Sequence, residues 1–219
     1  MLTILNEVEV RVLASLVEKQ VTTPEYYPLT LNALTLACNQ KNNRNPVTAY
    51  DEATVMQAVE SLREKNLAYV FYGSSSRVPK YKHVMPEVMH LNQQEMAIIC
   101  VLMLRGPQTL GELKDRTARL YEFPNLEEVD ATLNVLAAKE PDPLVTRLPR
   151  QPGQKEARFA HLMSGEVAMD IAMESESPRR TVRFSETERV SALEQQLELL
   201  KAEVSALQQQ FEQFKKQFE

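Results

Sequence analysis

The chain has 219 residues, 43% of them hydrophobic, and carries 25 basic and 30 acidic side chains, a net charge of −5. This length fits one or two small domains with their own cores, and the acidic balance argues against strong nonspecific affinity for DNA. The N-terminal residues lack the basic and apolar regions of a signal peptide, and no stretch is long enough to span a bilayer. We therefore expect a cytoplasmic protein with no membrane partner.

One helical pattern occurs twice, roughly 80 residues apart. Asn6 and Glu9 stand at capping-box spacing ahead of an apolar helical run, and Asn92 and Glu95 repeat this arrangement. A Pro-x-Thr-Leu sequence then begins a second helix in each copy, and a third helix follows with apolar residues at i, i+4 and i+7. Both copies end in two β-type segments separated by a turn, at residues 67–72 and 80–84 and at residues 144–148 and 157–162.

This order predicts a mainly α fold with small β-hairpins, of the α+β class. Three helices closed by a hairpin describe a winged helix, the variant of helix-turn-helix in which the hairpin is the wing. We predict a first winged-helix domain over residues 1–91, a second over 92–165 and a linker over 166–184.

The last segment, residues 185–219, has a different pattern. Its apolar residues alternate three and four positions apart, as in a coiled coil, and would form a rod of about 45 Å. We predict a homodimer through this helix, the alternative being one helix folded back on a groove of a domain. The predicted oligomerisation residues are Val190, Leu193, Leu197, Leu200, Val204, Leu207, Phe211, Phe214 and Phe218.

Charge is distributed unevenly over the predicted domains. The third helix of a helix-turn-helix enters the major groove, yet residues 51–65 have a net charge of −2 and residues 126–140 one of −3. Both predicted wings are basic, each with a net charge of +3, although cations on hairpins are also typical of solvated surface. The wing residues that we predict to contact DNA phosphates are Arg77, Lys80, Lys82, Arg147, Arg150, Lys155 and Arg158.

A polar loop at residues 39–50 separates the second and third helices of the first copy. It combines amides that can pair with adenine edges, cations suited to phosphate or guanine, and an aromatic residue. We predict nucleic-acid contacts from Lys41, Asn43, Arg44 and Tyr50, with Asn43 and Arg44 on base edges. The alternative is a tight polar turn, since Asn tolerates left-handed conformations. The second copy lacks this amide cluster, so we expect the two copies to have different functions.

Several segments of both copies together resemble one known family. They are residues 16–25 (LVEKQVTTPE), 27–29, 32–34, 37–41, 43–44 and 46–47 in the first copy, and residues 104–109 (LRGPQT), 111–113, 121–123, 161–162 and 164–167 in the second. The chain resembles, over residues 1 to about 167, the YceH-like family of uncharacterised bacterial proteins. The resemblance implies a tandem winged-helix fold in a bacterial cytoplasm, and it implies no particular activity.

The residues do not predict an enzyme. His83, His90 and His161 do not stand at metal-ligand spacing with another His or Cys. The chain has neither a P-loop nor a GxGxxG sequence. Cys38 and Cys100 lie in apolar helical runs, where we expect buried, reduced thiols. No metal or cofactor is expected.

Two functions remain. The first is a DNA-binding regulator in which the coiled coil pairs two chains, and the wings and the polar loop contact double-stranded DNA. The alternative is a protein-interaction adaptor. Tandem winged helices with acidic third helices also bind proteins, as in the accessory subunits of bacterial chromosome-condensing complexes, which the chain resembles in architecture only. The acidic third helices favour the adaptor, whereas the basic wings and the amide-rich loop favour DNA.

Overall fold

The computed structural model describes residues 4–72, 78–150, 154 and 156–165. The predicted linker and coiled-coil helix lie outside the described residues, as do Arg77 and Lys155 of the two predicted wings. The described residues belong to one unit of the chain, Met1–Ala168.

The first half of this unit is built from four helices, a 3-10 turn and three strands. In chain order these are α1 (Glu7–Thr22), a 3-10 helix (Pro24–Tyr26), β1 (Leu29–Thr30), α2 (Leu31–Cys38), α3 (Glu52–Glu64), β2 (Ala68–Phe71), β3 (Lys80–His83) and α4 (Met85–Met89). The strands form an antiparallel sheet in the order β1-β3-β2. Helices α1, α2 and α3 pack against one another, and β3 packs against α1.

The second half repeats the same order with fewer residues. Its elements are α5 (Gln93–Arg105), α6 (Leu110–Thr117), α7 (Leu126–Ala137), β4 (Val145–Arg147) and β5 (Phe159–His161). The last two strands form an antiparallel hairpin, and Gln108 makes an isolated bridge to Phe159. This bridge lies just before α6, as β1 lies just before α2. The predicted α+β class is confirmed, with helices in the majority.

The helix starts follow the local sequence signals. Asn6 and Asn92 each accept a hydrogen bond from the backbone N–H of the glutamate three residues later, and that glutamate accepts one from the cap, so both capping boxes are present. A third box joins Thr109 and Glu112. These side chains satisfy N–H groups that have no partner inside the helix.

An ion pair between a buried glutamate and a partly exposed lysine is also duplicated. The capping-box carboxylate of Glu9 lies 2.6 Å from the Lys65 Nζ, and that of Glu95 lies 3.2 Å from the Lys139 Nζ. Each lysine follows the third helix of its half and also donates to a carbonyl two residues before the helix cap, that of Ile4 or of His90. The two halves therefore repeat side-chain contacts as well as helices and strands.

The halves share one hydrophobic core through α1 and α5. Both helices are buried along most of their length, from Glu9 to Glu18 in α1 and from Ala97 to Leu104 in α5. The Cys100 thiol lies 3.5 Å from the Ala14 carbonyl. Helix α5 is apolar nearly all round from Ala97 to Leu104, and such a helix belongs inside a protein, which accounts for its position against α1.

Three short elements differ from the sequence expectation. The 3-10 turn, β1 and α4 were not predicted. Strand β1 has only two residues, and it forms because Leu29 and Thr30 pair with Tyr81 and Lys80 of β3. Such a strand is determined by pairing with a distant segment, and it leaves no periodic pattern of its own.

Candidate contact surfaces

The polar loop between α2 and α3 lies against α1. The Arg44 side chain is 0% exposed, and its Nη2 lies 2.6 Å from the Glu18 Oε2. The same nitrogen donates to the Ala37 carbonyl at 2.8 Å. The prediction that Arg44 contacts a base edge is therefore corrected: its guanidinium is used inside the protein, where it neutralises a buried carboxylate.

The same loop also contacts the second half. Asn43, in the left-handed region with φ 60°, accepts a hydrogen bond from the Arg105 Nη2. The Asn45 backbone N–H donates to the Leu104 carbonyl at 2.9 Å. The second contact satisfies a carbonyl of the last turn of α5, which has no partner within the helix, and the first holds the Arg105 side chain against the loop. The tight-turn alternative therefore describes Asn43 better than a free base-contacting amide.

The remaining two candidates in this loop differ in accessibility. Lys41 is exposed. Tyr50 is partly buried against the core, and its backbone N–H and C=O are both bonded to the Asn39 side chain, at 2.8 and 2.7 Å. Lys41 is the one exposed side chain among the four loop residues predicted to contact nucleic acid.

Arg11 is a buried cation that the prediction of functional residues overlooked. It lies on α1, it is 4% exposed, and it donates to the Pro46 carbonyl at 2.7 Å and the Cys38 carbonyl at 3.2 Å. Burial, with Arg44 nearby, lowers the pKa of its guanidinium. A sequence signal existed: Arg11 and Glu18 interrupt the apolar run of α1, and charged groups in such a position need internal partners.

The first hairpin places its lysines beside aromatic rings. Tyr69 pairs with Lys82 across the strands, and Phe71 pairs with Lys80. The Lys82 Nζ lies 4.5 Å from the centroid of the Tyr69 ring. These four residues share one face of the sheet, because side chains alternate between faces along a strand.

The second hairpin has two exposed arginines and one arginine that is paired within the protein. Arg147 and Arg150 are exposed, and the Arg147 guanidinium lies 6.0 Å from the centroid of the Phe159 ring. Arg158 donates to the Glu112 carboxylate and to the Pro107 carbonyl, both at 3.0 Å. Arg147 and Arg150 are thus available to an anion, whereas Arg158 is already paired.

The third helices of the halves expose acidic and apolar side chains. In α3, Arg63 pairs with Glu60 at 2.5 Å, which neutralises the one cation of that helix. Helix α7 has no Lys or Arg at all. Its surface carries Leu126, 45% exposed, and Val135, 55% exposed, together with the acids Glu127 and Asp130.

The buried cysteines and two of the histidines are in their neutral forms at pH 7. Cys38 and Cys100 are free and buried, as predicted. Burial raises the pKa of the Cys38 thiol to about 11 and raises that of Cys100 further. Burial also lowers the pKa of His83 and that of His161 to about 4. In this state neither thiol is an effective nucleophile, and neither histidine accepts a proton near neutral pH.

The described residues contain neither a cluster of metal ligands nor a helix that could span a membrane. Among residues 4–72, 78–150, 154 and 156–165, no group of three His, Cys, Asp or Glu side chains could hold a metal ion. Within the same part of the chain, no helix is long and apolar enough to cross a membrane.

These features define an α+β protein of two similar halves whose exposed faces differ in charge. The family model described as "Protein of unknown function, DUF480" matches residues 5–154. A UPF0502 protein from Opitutus terrae is 56% identical over 177 residues, covering 81% of this chain and 77% of the relative. Another from Geobacter sulfurreducens is 50% identical over 218 residues, covering 99% of both chains. The chain therefore belongs to this family of bacterial proteins, and the expected YceH-like membership is confirmed.

Proposed function

We propose that this chain is a cytoplasmic tandem winged-helix protein that acts by binding rather than by catalysis, and that α7 contacts a protein partner. The repeated order of three helices and a hairpin supports the winged-helix assignment. The heptad pattern of residues 185–219 supports a homodimer through a coiled coil.

The chemistry of α7 carries the proposal of a protein partner. As the third helix of a winged helix, α7 would enter the major groove of DNA. Acidic side chains there would repel phosphates, and the helix has no cation to offset them. The exposed apolar side chains Leu126 and Val135, which lie on different sides of α7, and the exposed acids Glu127 and Asp130 instead suit a protein partner that offers apolar and basic groups, because interface cores are apolar with polar rims.

Proximity labelling in the native bacterium tests this proposal. The protein, tagged at its N-terminus, is compared with a Leu126→Lys/Val135→Lys variant. Leu36→Lys is the matched control, since Leu36 is also exposed but lies on α2. We expect a defined set of neighbours that the wild type and Leu36→Lys share and the α7 variant loses. Identical neighbours for all three proteins, with the variants folded by circular dichroism, would refute α7 as the contact surface.

The second candidate function is duplex DNA binding by the wings. Exposed Arg147 and Arg150 favour it, together with Lys80 and Lys82 of the first hairpin. A salt titration with random duplex DNA tests it. The logarithm of the affinity should fall with the logarithm of the salt concentration at a slope of about −0.9 per phosphate contacted. Arg147→Glu/Arg150→Glu should flatten the slope, and no binding at low salt would eliminate this function.

A further inference from the structure

The outer face of the three-stranded sheet in the first half combines aromatic and basic side chains. Tyr69 is 38% exposed and Phe71 42% exposed, although both belong to a strand whose other side chains turn inward. Their cross-strand neighbours are Lys82 and Lys80. The opposite face, which includes Ala68 and Tyr81, is buried in the core. The strand alternation thus leaves rings and ammonium groups together on one accessible surface, the aromatic–basic face.

The spacing on this face suits a chain of bases. Tyr69 and Phe71 are two positions apart on one strand, which separates the rings by about 7 Å. Each ring on β2 has a lysine opposite it on β3, so stacking surfaces and phosphate-binding cations run along the sheet in parallel rows. Aromatic platforms flanked by cations are the usual means by which proteins hold unpaired bases.

Charge complementarity supports an anionic partner. The face consists of Thr30, Tyr69, Phe71, Lys80 and Lys82, none of which is acidic. This contrasts with the acidic surface of α7. The flexible stem of Lys82 also allows its ammonium, now over the Tyr69 ring, to turn toward a phosphate oxygen.

We propose that the aromatic–basic face of the β1-β3-β2 sheet binds a single strand of DNA. A duplex keeps its bases stacked and paired, out of reach of rings on a sheet, whereas an unpaired strand offers base faces and phosphates together. RNA presents the same bases and phosphates with an added 2′-hydroxyl, and tighter binding of oligo(U) than of oligo(dT) is the result that would overturn the choice of DNA. This activity goes beyond the proposed protein contact and uses a different surface.

Fluorescence anisotropy with a labelled oligo(dT) of about 16 nucleotides tests the proposal on the full chain. The comparison is with a duplex and with oligo(U) of the same length. We expect oligo(dT) to bind at least about tenfold more tightly than the duplex, and oligo(U) to bind no more tightly than oligo(dT). Tyr69→Ala/Phe71→Ala removes the rings on which two bases would stack, and it should weaken oligo(dT) binding by about 30-fold or more.

Matched variants separate stacking from loss of structure. Tyr26→Ala removes another exposed ring, outside the sheet, and should leave oligo(dT) binding unchanged. Leu126→Lys/Val135→Lys on α7 should also leave it unchanged, so the single-strand proposal and the protein-contact proposal can fail independently. Circular dichroism verifies that the Tyr69→Ala/Phe71→Ala variant is folded.

A tryptophan reporter examines stacking directly. The chain contains no Trp, so Phe71→Trp places a single indole on the aromatic–basic face. Oligo(dT) should quench its fluorescence at saturating concentration, whereas inorganic polyphosphate, which has charge but no bases, should not. The proposal is overturned by duplex binding as tight as that of oligo(dT), by tighter binding of oligo(U), by an unaffected alanine variant, or by equal quenching with polyphosphate.

Discussion

Replacing Arg44 with methionine should strongly destabilise the fold. The Arg44 guanidinium is the partner of Glu18, whose side chain is only 6% exposed, and it also bonds the Ala37 carbonyl. Removing one member of a buried pair leaves an uncompensated charge, which costs about 3–5 kcal/mol. For a folded unit of this size, each kcal/mol lowers the melting temperature by about 2–4 °C, so Arg44→Met should melt about 6–20 °C below the wild type.

Urea denaturation followed by circular dichroism at pH 7 measures this loss. Lys41→Met is the matched control, because Lys41 is an exposed cation of the same loop. Its stability should change by no more than about 0.5 kcal/mol. The double variant Glu18→Leu/Arg44→Met should recover most of the loss, since removing both charges leaves neither one unpaired.

Two results would refute this reasoning. One is an Arg44→Met protein within about 1 kcal/mol of the wild type, which would mean that Glu18 is not held as a buried charge. The other is a double variant that is no more stable than the single one. If Arg44 served mainly to contact a base, Arg44→Met would instead lower DNA affinity and leave the unfolding curve unchanged.

Three further predictions concern acid stability, oligomeric state and the polar loop. Burial gives His83 a pKa of about 4 in the folded state, against about 6.5 in the unfolded chain. The neutral histidine therefore contributes about 3 kcal/mol to the free energy of unfolding above pH 6.5, and this contribution is lost as the pH falls toward 4. Urea midpoints at pH 7.5 and 4.5 should therefore differ less for His83→Gln than for the wild type, and equal differences would contradict this. Leu200→Lys/Leu207→Lys should convert a dimer to a folded monomer by light scattering, whereas a wild-type monomer at micromolar concentration would count against the coiled coil. Asn43→Val should cost about 1–3 kcal/mol in urea denaturation, because a β-branched residue is strained at φ 60°; Asn43→Gly should cost less, and the reverse order would exclude backbone strain.

Local signals in the sequence were sufficient for the order of the longer helices and the two hairpins, although not for the 3-10 turn, β1 and α4. A capping box needs only residues three positions apart, and an amphipathic helix needs only its own periodicity, so the starts of α1 and α5 could be read directly. The hairpins were likewise visible as two β-type segments around a turn. The fold class followed from the repetition of these signals, and the family resemblance came from the same segments.

The sequence could not show which polar side chains are free. In the loop at residues 39–50, the cation Arg44 and the amide Asn43 are of the residue types that contact bases in DNA. Arg44 is bonded to Glu18, 26 positions away, and Asn43 to Arg105, 62 positions away. The aromatic–basic face was missed for a related reason. Rings and lysines that are apart in sequence become neighbours only when β2 and β3 pair.

The sequence by itself thus determined the helices, the hairpins, their duplication and the charge of each segment, because these properties depend on neighbouring residues. Only the tertiary structure decided which charged groups are buried and which remain on the surface. That outcome depends on contacts between distant segments, since a buried charge is retained only where another part of the chain supplies its partner. Arg44 is paired with Glu18 of α1, whereas the lysines of the first hairpin lie beside aromatic rings on an accessible face.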